Sequence, residues 1–335
     1  MSVKDYEQSA APTAAAPRDA SVSEIPPRIA VLIPCHNEEL TVERVILDFR
    51  RELPSADICV FDNNSDDRTA ELAFSAGARV IFEPRQGKGF VVSSMLNKID
   101  ADIYVMVDGD CTYPADRVHD LLAPILAGHA DQTVGIRQAV DSGAKGRPMH
   151  AMGNHLVTAL VNSVSRSRLT DVMSGYRVFT RELAQSVPVL SGGFDIETEF
   201  TLQCLEKGFV IREIPVPYSE RPEGSFSKLS TYRDGFLVIL RIGNILKNFR
   251  PMVFFGALSL GCMMLSLFCG YWPVMEYIRE KYVHKVPLAA LAGFLGTIAI
   301  GFLLTGVVLA TINARFLEMT VLHRRATRAR DGARR

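Results

Sequence analysis

The chain of 335 residues has a single tryptophan, Trp272, no Cys-x-x-Cys pair among its six cysteines, and no net formal charge. Each shortage excludes something. With 37 basic and 37 acidic side chains there is no global pull toward nucleic acid, and none is expected as a partner. Cys35, Cys59, Cys111, Cys204, Cys262 and Cys269 are scattered, the last two in membrane-like apolar sequence, so they read as reduced core or lipid-phase residues rather than disulfides or zinc ligands. The histidines are too dispersed for a metal cluster. No Gly-x-Gly-x-x-Gly follows the first expected strand, which argues against a dinucleotide-dependent dehydrogenase. Residues 1–27 are rich in Ala, Pro, Ser and charge and hold no apolar run of signal-peptide length, so a disordered tail without a secretion signal is expected there.

What is present is organised around Ala101 to Pro114, where the run Ile103 to Val107 stops at Asp108-Gly109-Asp110. The run is apolar without alternation, as in a buried parallel strand, and Pro114 then opens a helix. Two carboxylates one residue apart at a strand's C-terminal end suit a hard divalent cation that itself holds phosphate oxygens, although Asp-Gly is also common turn chemistry. Upstream, strands are expected over Arg28 to Ile33, Asp57 to Phe61 and Arg79 to Phe82, each followed by a polar loop and a helix, the second helix ending at Gly77. One crevice would collect these loops. Downstream, the spacing predicts a strand over Thr133 to Ile136 with Arg137 at its end and a helix from about Met149 to Ser165. It also predicts a short strand after Asp171 to Arg177, a helix opened by Asp195 to Glu199 and closed by Gly208, and a strand over Phe209 to Ile214.

Tyr232 to Phe249 has the polar spacing of an interfacial helix. Met252 to Trp272 and Leu288 to Ala314 are uncharged apolar runs, each long enough at ~1.5 Å per residue to cross a ~30 Å hydrocarbon core. A linker from Glu276 to Lys285 would lie between them. Arg324, Arg325, Arg328, Arg330, Arg334 and Arg335 then face only Asp331, a pattern that belongs on the cytoplasmic side of a membrane. The organisation expected is therefore a tail over 1–27, an α/β catalytic domain over 28–230, an interfacial amphipathic helix over 231–250, two transmembrane helices over 251–314 and a basic cytoplasmic tail over 315–335.

Five stretches in order carry a resemblance: Ile33 to Glu38, Asp62 to Thr69, Gly87-Lys88-Gly89, Asp108-Gly109-Asp110, and Asp171 to Arg177. The chain resembles the family 2 glycosyltransferases of GT-A type, and within them the polyprenyl (dolichyl) phosphate sugar synthases, over roughly Arg28 to Arg250. That resemblance implies a Rossmann-like, mostly parallel sheet and inverting transfer of a hexose from a UDP- or GDP-sugar to a polyprenyl phosphate at the cytoplasmic membrane face. It implies a nucleotide-sugar site of Pro34, Asn37, Glu38, Asp62, Asn64, Lys88 and Asp108, and a metal, Mg²⁺ or Mn²⁺, on Asp110 with Asp108. Glu38 and Asp62 would accept hydrogen bonds from ribose or base, or else cap helices; Lys88 would meet the diphosphate, or else sit in a plain glycine turn.

Asp108, Asp110 and Arg137 are the catalytic candidates. Arg137 resembles the acceptor-phosphate arginine, Arg147 is a further match, and Ser225, Ser227 and Lys228, with Arg221 nearby, resemble the mobile acceptor loop. One departure stands out: many dolichyl-phosphate mannose synthases carry Gln at the position of Thr112, which weakens an inference to mannose. Asp195, Glu197 and Glu199 stay open between helix capping and substrate contact, since an ionised phosphate nucleophile requires no base. A polysaccharide or glycolipid acceptor is the alternative, but Trp272 lies at the end of a membrane helix and not in the Gln-x-x-Arg-Trp motif of processive synthases. A membrane assembly subunit with a degenerate transferase domain is disfavoured by the retained Lys88, Asp108 and Asp110. Gly293, Gly296, Gly301 and Gly306 leave small surfaces on which a homo-oligomer could pack.

Overall fold

The computed structural model describes residues 26–139, 148–189, 196–219 and 243–333. They divide into two compact units. One comprises residues 26–138, 175–185 and 209–219, the other residues 139, 148–174, 186–189, 196–208 and 243–333.

The first unit is a seven-stranded sheet. In chain order it contains β1 (Ile29–Cys35), α1 (Val42–Glu52), β2 (Asp57–Asp62), α2 (Thr69–Ser75), β3 (Arg79–Phe82), α3 (Lys88–Lys98) and β4 (Ile103–Met106). A 3₁₀ turn (Ala115–Arg117), α4 (Val118–Leu126) and β5 (Gln132–Ala139) follow, and β6 (Arg177–Thr180), α6 (Arg181–Ser186) and β7 (Ile211–Tyr218) return after α5 (Pro148–Ser165) of the other unit. The strand order is β3-β2-β1-β4-β6-β5-β7. Strands β1 to β4 pair in parallel, with Cys35 opposite Asp62 and Leu32 opposite Met106, whereas β6 runs antiparallel to both β4 and β5. The sheet is the mostly parallel, Rossmann-like kind expected.

Ala30 to Ile33 and Ile103 to Val107 are buried, because helices cover both faces of the central strands. The amphipathic α1 sends Val42, Val45, Ile46 and Phe49 into this core. Placement of β4 on the far side of β1 from β2 creates the feature that matters for function. The chain reverses direction across the sheet there, so the loops after β1 and β4 diverge and leave a crevice at their C-terminal ends.

Three boundaries differ from expectation. Strand β5 runs on through Arg137 to Ala139, past Val134, the last residue paired with β6. Strand β7 starts at Ile211 and continues past Pro215 and Pro217 to Tyr218; two prolines would interrupt an inner strand, but β7 is at the sheet edge, where a missing N–H costs no ladder bond. Glycines 77 and 208 end their helices with positive φ, as anticipated.

The second unit contains α5, α7 (Ile196–Glu206), a helix over 243–249 (α8), α9 (Pro251–Glu280) and α10 (Val286–Ala333). Ile245, Leu246 and Phe249 of α8 pack against a cluster of Val157, Val161, Val164, Val172 and Leu202, so the described end of the expected interfacial helix is a packed one. Residues 231–242 lie outside the described residues. Two helical segments, Pro251–Glu280 and Val286–Leu322, are long and apolar enough to cross a membrane. Helix α9 passes through Pro273, which shortens the expected linker to Lys281–Lys285; such prolines are tolerated where neighbouring helices satisfy the freed backbone. The basic segment after Ala314 is helical, since its alanines, arginines and leucines are good helix formers and α10 continues to Ala333. Ser259 and Ser266 donate to the carbonyls of Ala299 and Ala292, both at 2.7 Å, which ties α9 to α10. Gly296 and Gly306 face Ser266 and Phe255 of α9, so these two serve packing within the hairpin.

Candidate active site

The site is built from the ends of β1, β2 and β4. Backbone bonds lace them together: Asn63 N–H to the Cys35 carbonyl at 2.9 Å, Glu83 N–H to the Asp62 carbonyl at 2.9 Å, and Val107 N–H to the Leu32 carbonyl at 3.1 Å. The loops beyond interlock through side chains. Asn37 accepts from the Asp66 N–H at 2.8 Å, and Thr69 accepts from the Glu38 N–H at 2.8 Å. Asn63, which sequence reasoning missed, is buried and donates to the carbonyls of Glu83 and Arg85 while accepting from the Gly87 N–H at 2.8 Å. Asn64 donates to the Pro84 carbonyl and to Gln86. Asn37 and Asn64, expected at the nucleotide, thus have side chains that brace loops; Pro34 is half-buried at the end of β1. Glu83 is buried beside Arg85, whose guanidinium holds its carboxyl at about 2 against the opposing effect of burial.

The loop after β3 delivers Lys88 as the first residue of α3. A cation there opposes the helix dipole and calls for an anion, which Asp108 supplies at 2.6 Å. Asp108 is wedged from the other side by Gly175. A Cβ on that glycine would lie 2.3 Å from Asp108 Oδ2, so no other residue fits unless the carboxylate moves. Gly109 is equally confined: a Cβ would be 2.7 Å from Cys35 Sγ, and its carbonyl accepts from the Thr41 hydroxyl at 2.7 Å. Asp110 is buried, and its Oδ1 accepts from the Thr112 N–H at 3.2 Å and the Thr112 hydroxyl at 2.6 Å.

Cys35 reports the electrostatics. Its thiol is pushed well up by burial and then by Glu38, Asp62, Asp108 and Asp110. Four carboxylates therefore converge on one strand end, a field that favours a cation. Asp110 and Asp108 have the hard oxygen donors that Mg²⁺ or Mn²⁺ takes, so the residues present fit such an ion. Asp62 adds a different capacity. One of its oxygens accepts weakly from the Ser65 N–H at 3.4 Å, and the other is buried without a protein partner, as suits an acceptor for a ligand's N–H or O–H.

Across the crevice, Arg137 stands 5.7 Å from the centroid of the Tyr218 ring. Tyr218 packs against Tyr113 at 5.3 Å, and Tyr113 accepts from the Gly175 N–H at 3.2 Å. The Tyr218 phenol is raised by burial and by Asp110, with Arg137 and the Thr112 hydroxyl acting against them. Neither Tyr218 nor Gly175 was singled out from the sequence. In the other unit, Asp171 accepts from the Met173 N–H at 3.1 Å, and Glu199 accepts from Gln203 at 2.9 Å near the start of α7. Arg147, Asp195, Arg221, Ser225, Ser227 and Lys228 lie outside the described residues.

Residues 30–187 match the family model described as Glycosyl transferase family 2. A relative in Haloferax volcanii, glycosyltransferase AglJ, is 33% identical over 273 residues, which span 81% of this chain and 89% of the relative. A dolichyl-phosphate hexose transferase of the same organism is 30% identical over 194 residues, 58% of this chain and 83% of that protein. Among solved structures, glucosyl-3-phosphoglycerate synthase from Mycobacterium tuberculosis, in complex with Mn²⁺ and UDP-glucose, superposes with a TM-score of 0.54 at 23% identity. The match covers 66% of this chain and 78% of that one.

Proposed function

The chain belongs to glycosyl transferase family 2, and from that premise we propose that it transfers a hexose from an NDP-sugar to a polyprenyl phosphate, with inversion at the anomeric carbon. The observation that carries the reading is the acidic strand end at the reversal of the sheet, where Asp62 lies opposite Cys35, Gly109 between Asp108 and Asp110 abuts the Cys35 thiol, and Lys88 pairs with Asp108. In the donor complex, the open oxygen of Asp62 accepts from base or ribose, and Lys88 turns from Asp108 toward the diphosphate. Asp110 and Asp108 would hold a divalent ion, Mg²⁺ or Mn²⁺, which would offset charge on the departing nucleoside diphosphate.

The acceptor reading is supported by Arg137 on the far side of Tyr218, by the two apolar helices and by the similarity to a dolichyl-phosphate hexose transferase. An acceptor phosphate oxygen attacks the anomeric carbon as the bond from that carbon to the diphosphate oxygen breaks, and the electron pair leaves with the NDP. Arg137, with Arg147, Arg221, Ser227 and Lys228 as further candidates, binds the acceptor phosphate. The nucleophile is already ionised at neutral pH, so positioning and electrostatics supply the catalysis. The catalytic part and both termini are assigned to the cytoplasmic side, following the arginines of the C-terminal segment.

A panel of UDP- and GDP-hexoses, incubated with the full-length protein and with undecaprenyl phosphate, dolichyl phosphate, a glycolipid or a polysaccharide acceptor, tests this. Hexose is expected on a polyprenyl phosphate with stoichiometric NDP. Transfer confined to a glycolipid or polysaccharide would replace the acceptor assignment.

A further inference from the structure

We propose that Tyr218 is a positioning residue that joins the acceptor side of this crevice to the metal side, through its ring to Arg137 and through its phenol to Thr112 and Asp110. The inference rests on the function proposed above. It starts from where the residue sits. Tyr218 is the last residue of the edge strand β7, and the next backbone N–H, that of Ser219, donates to the Thr112 carbonyl at 3.1 Å. The end of β7 is thereby pinned to the loop that carries Asp108 and Asp110.

The side chain then has three neighbours with three different roles. Tyr113 meets its ring edge-on at 5.3 Å and an interplanar angle of 67°, which fixes the ring plane. Arg137 lies 5.7 Å from the ring centroid, within the range of a cation–π contact. Such a contact holds a guanidinium in place through the ring face and uses no N–H donor, so it suits an arginine that must present its donors to phosphate oxygens. On the polar end is the Thr112 hydroxyl, which itself donates to Asp110 Oδ1 at 2.6 Å. Groups that orient a metal-binding carboxylate commonly affect metal affinity ~10–100-fold when removed, and one step further out a smaller effect is expected. Thr112 therefore orients Asp110, and Tyr218 backs it.

Ring and phenol can be separated by mutation. The full-length protein, Tyr218→Phe, Tyr218→Leu and Thr112→Val would be compared by electron paramagnetic resonance titration with Mn²⁺ alone, by NDP affinity, and by kinetics with acceptor and donor varied separately. Tyr218→Phe keeps the ring, so the acceptor KM should stay within about twofold while Mn²⁺ binding weakens about three- to tenfold. Thr112→Val should weaken Mn²⁺ at least as much, and the double variant Thr112→Val with Tyr218→Phe should be no worse than Thr112→Val, because both act through one contact. Tyr218→Leu should add a rise of about tenfold in acceptor KM at unchanged donor KM.

Equal effects of Phe and Leu on the acceptor, additive losses of Mn²⁺ affinity in the double variant, or unchanged Mn²⁺ binding in Tyr218→Phe would overturn the proposal. Retained NDP affinity identifies a folded variant, and Tyr218→Phe provides the test if the leucine variant does not fold. A wild-type protein that uses a different acceptor would refute the acceptor assignment alone, and the Mn²⁺ titrations would still decide the link from Tyr218 to Asp110.

Discussion

Replacing Gly175 by alanine should disable the site through one methyl group. The backbone there does not require glycine, since φ is not in the left-handed region, and the change leaves charge untouched. The added Cβ would lie 2.3 Å from Asp108 Oδ2, 2.8 Å from its Cγ and 3.0 Å from its Oδ1. Moving the nearest oxygen out to a tolerable contact of about 3 Å requires a shift of at least ~0.7 Å in a carboxylate whose other oxygen is held by Lys88 at 2.6 Å. Misplacing a catalytic group by ~1 Å can cost ~10²-fold in rate, while overpacking typically costs ~1–3 kcal/mol of stability. Gly175→Ala should therefore lower kcat/KM for the NDP-sugar about 10- to 100-fold with a modest loss in Tm. Gly256→Ala, in open space on α9, is the control and should do neither. The assay is transfer from radiolabelled NDP-sugar, together with NDP affinity by calorimetry. A Gly175→Ala protein with wild-type kinetics would refute the packing argument, because it would mean that Asp108 need not be where Gly175 and Lys88 hold it.

Other expectations follow from the same geometry. Arg137→Ala should raise acceptor KM or lower kcat with donor KM nearly unchanged, and Arg137→Lys should recover only part of the loss, since an ammonium lacks the paired donors of a guanidinium; an equal loss on the donor side would move Arg137 to the diphosphate. Glu83, held at about 2 by Arg85, contributes stability that is complete above its ordinary value of 4.5 and is lost as pH falls toward about 2. The Tm difference between wild type and Glu83→Gln should accordingly shrink over that interval, and a difference that is constant with pH would contradict the assignment.

Much of the acidic strand end was legible in the sequence, because it is written locally. Ile103 to Val107 followed by Asp108-Gly109-Asp110 states a buried strand and its acidic end in eight residues, and Lys88 between two glycines ahead of a helix is similarly self-contained. The features that were not legible depend on partners far along the chain. That Gly175 is confined by Asp108 is a contact between positions 67 apart, and Tyr218 gains its place only because an edge strand tolerates Pro215 and Pro217. Asn63 was hidden for another reason: it adjoins Asp62 in a polar loop where any amide fits the pattern, and only burial sets it apart. The length of α10 was underestimated because the apolar run ends at Ala314 whereas helix propensity does not.

The central claim is that this crevice makes a polyprenyl-phosphate sugar. It is tested most directly by isolating the glycolipid formed from an NDP-hexose by the purified full-length protein and determining its linkage and anomeric configuration by mass spectrometry and NMR. The wild-type protein should yield a hexose joined through a phosphodiester to the polyprenol with inverted configuration. Asp110→Asn, or EDTA, should abolish most of it, a loss of ~2.7 to 4 kcal/mol in transition-state stabilisation if the carboxylate matters as much as comparable electrostatic groups do. A glycolipid of retained configuration, or full yield from Asp110→Asn in EDTA, would contradict the account.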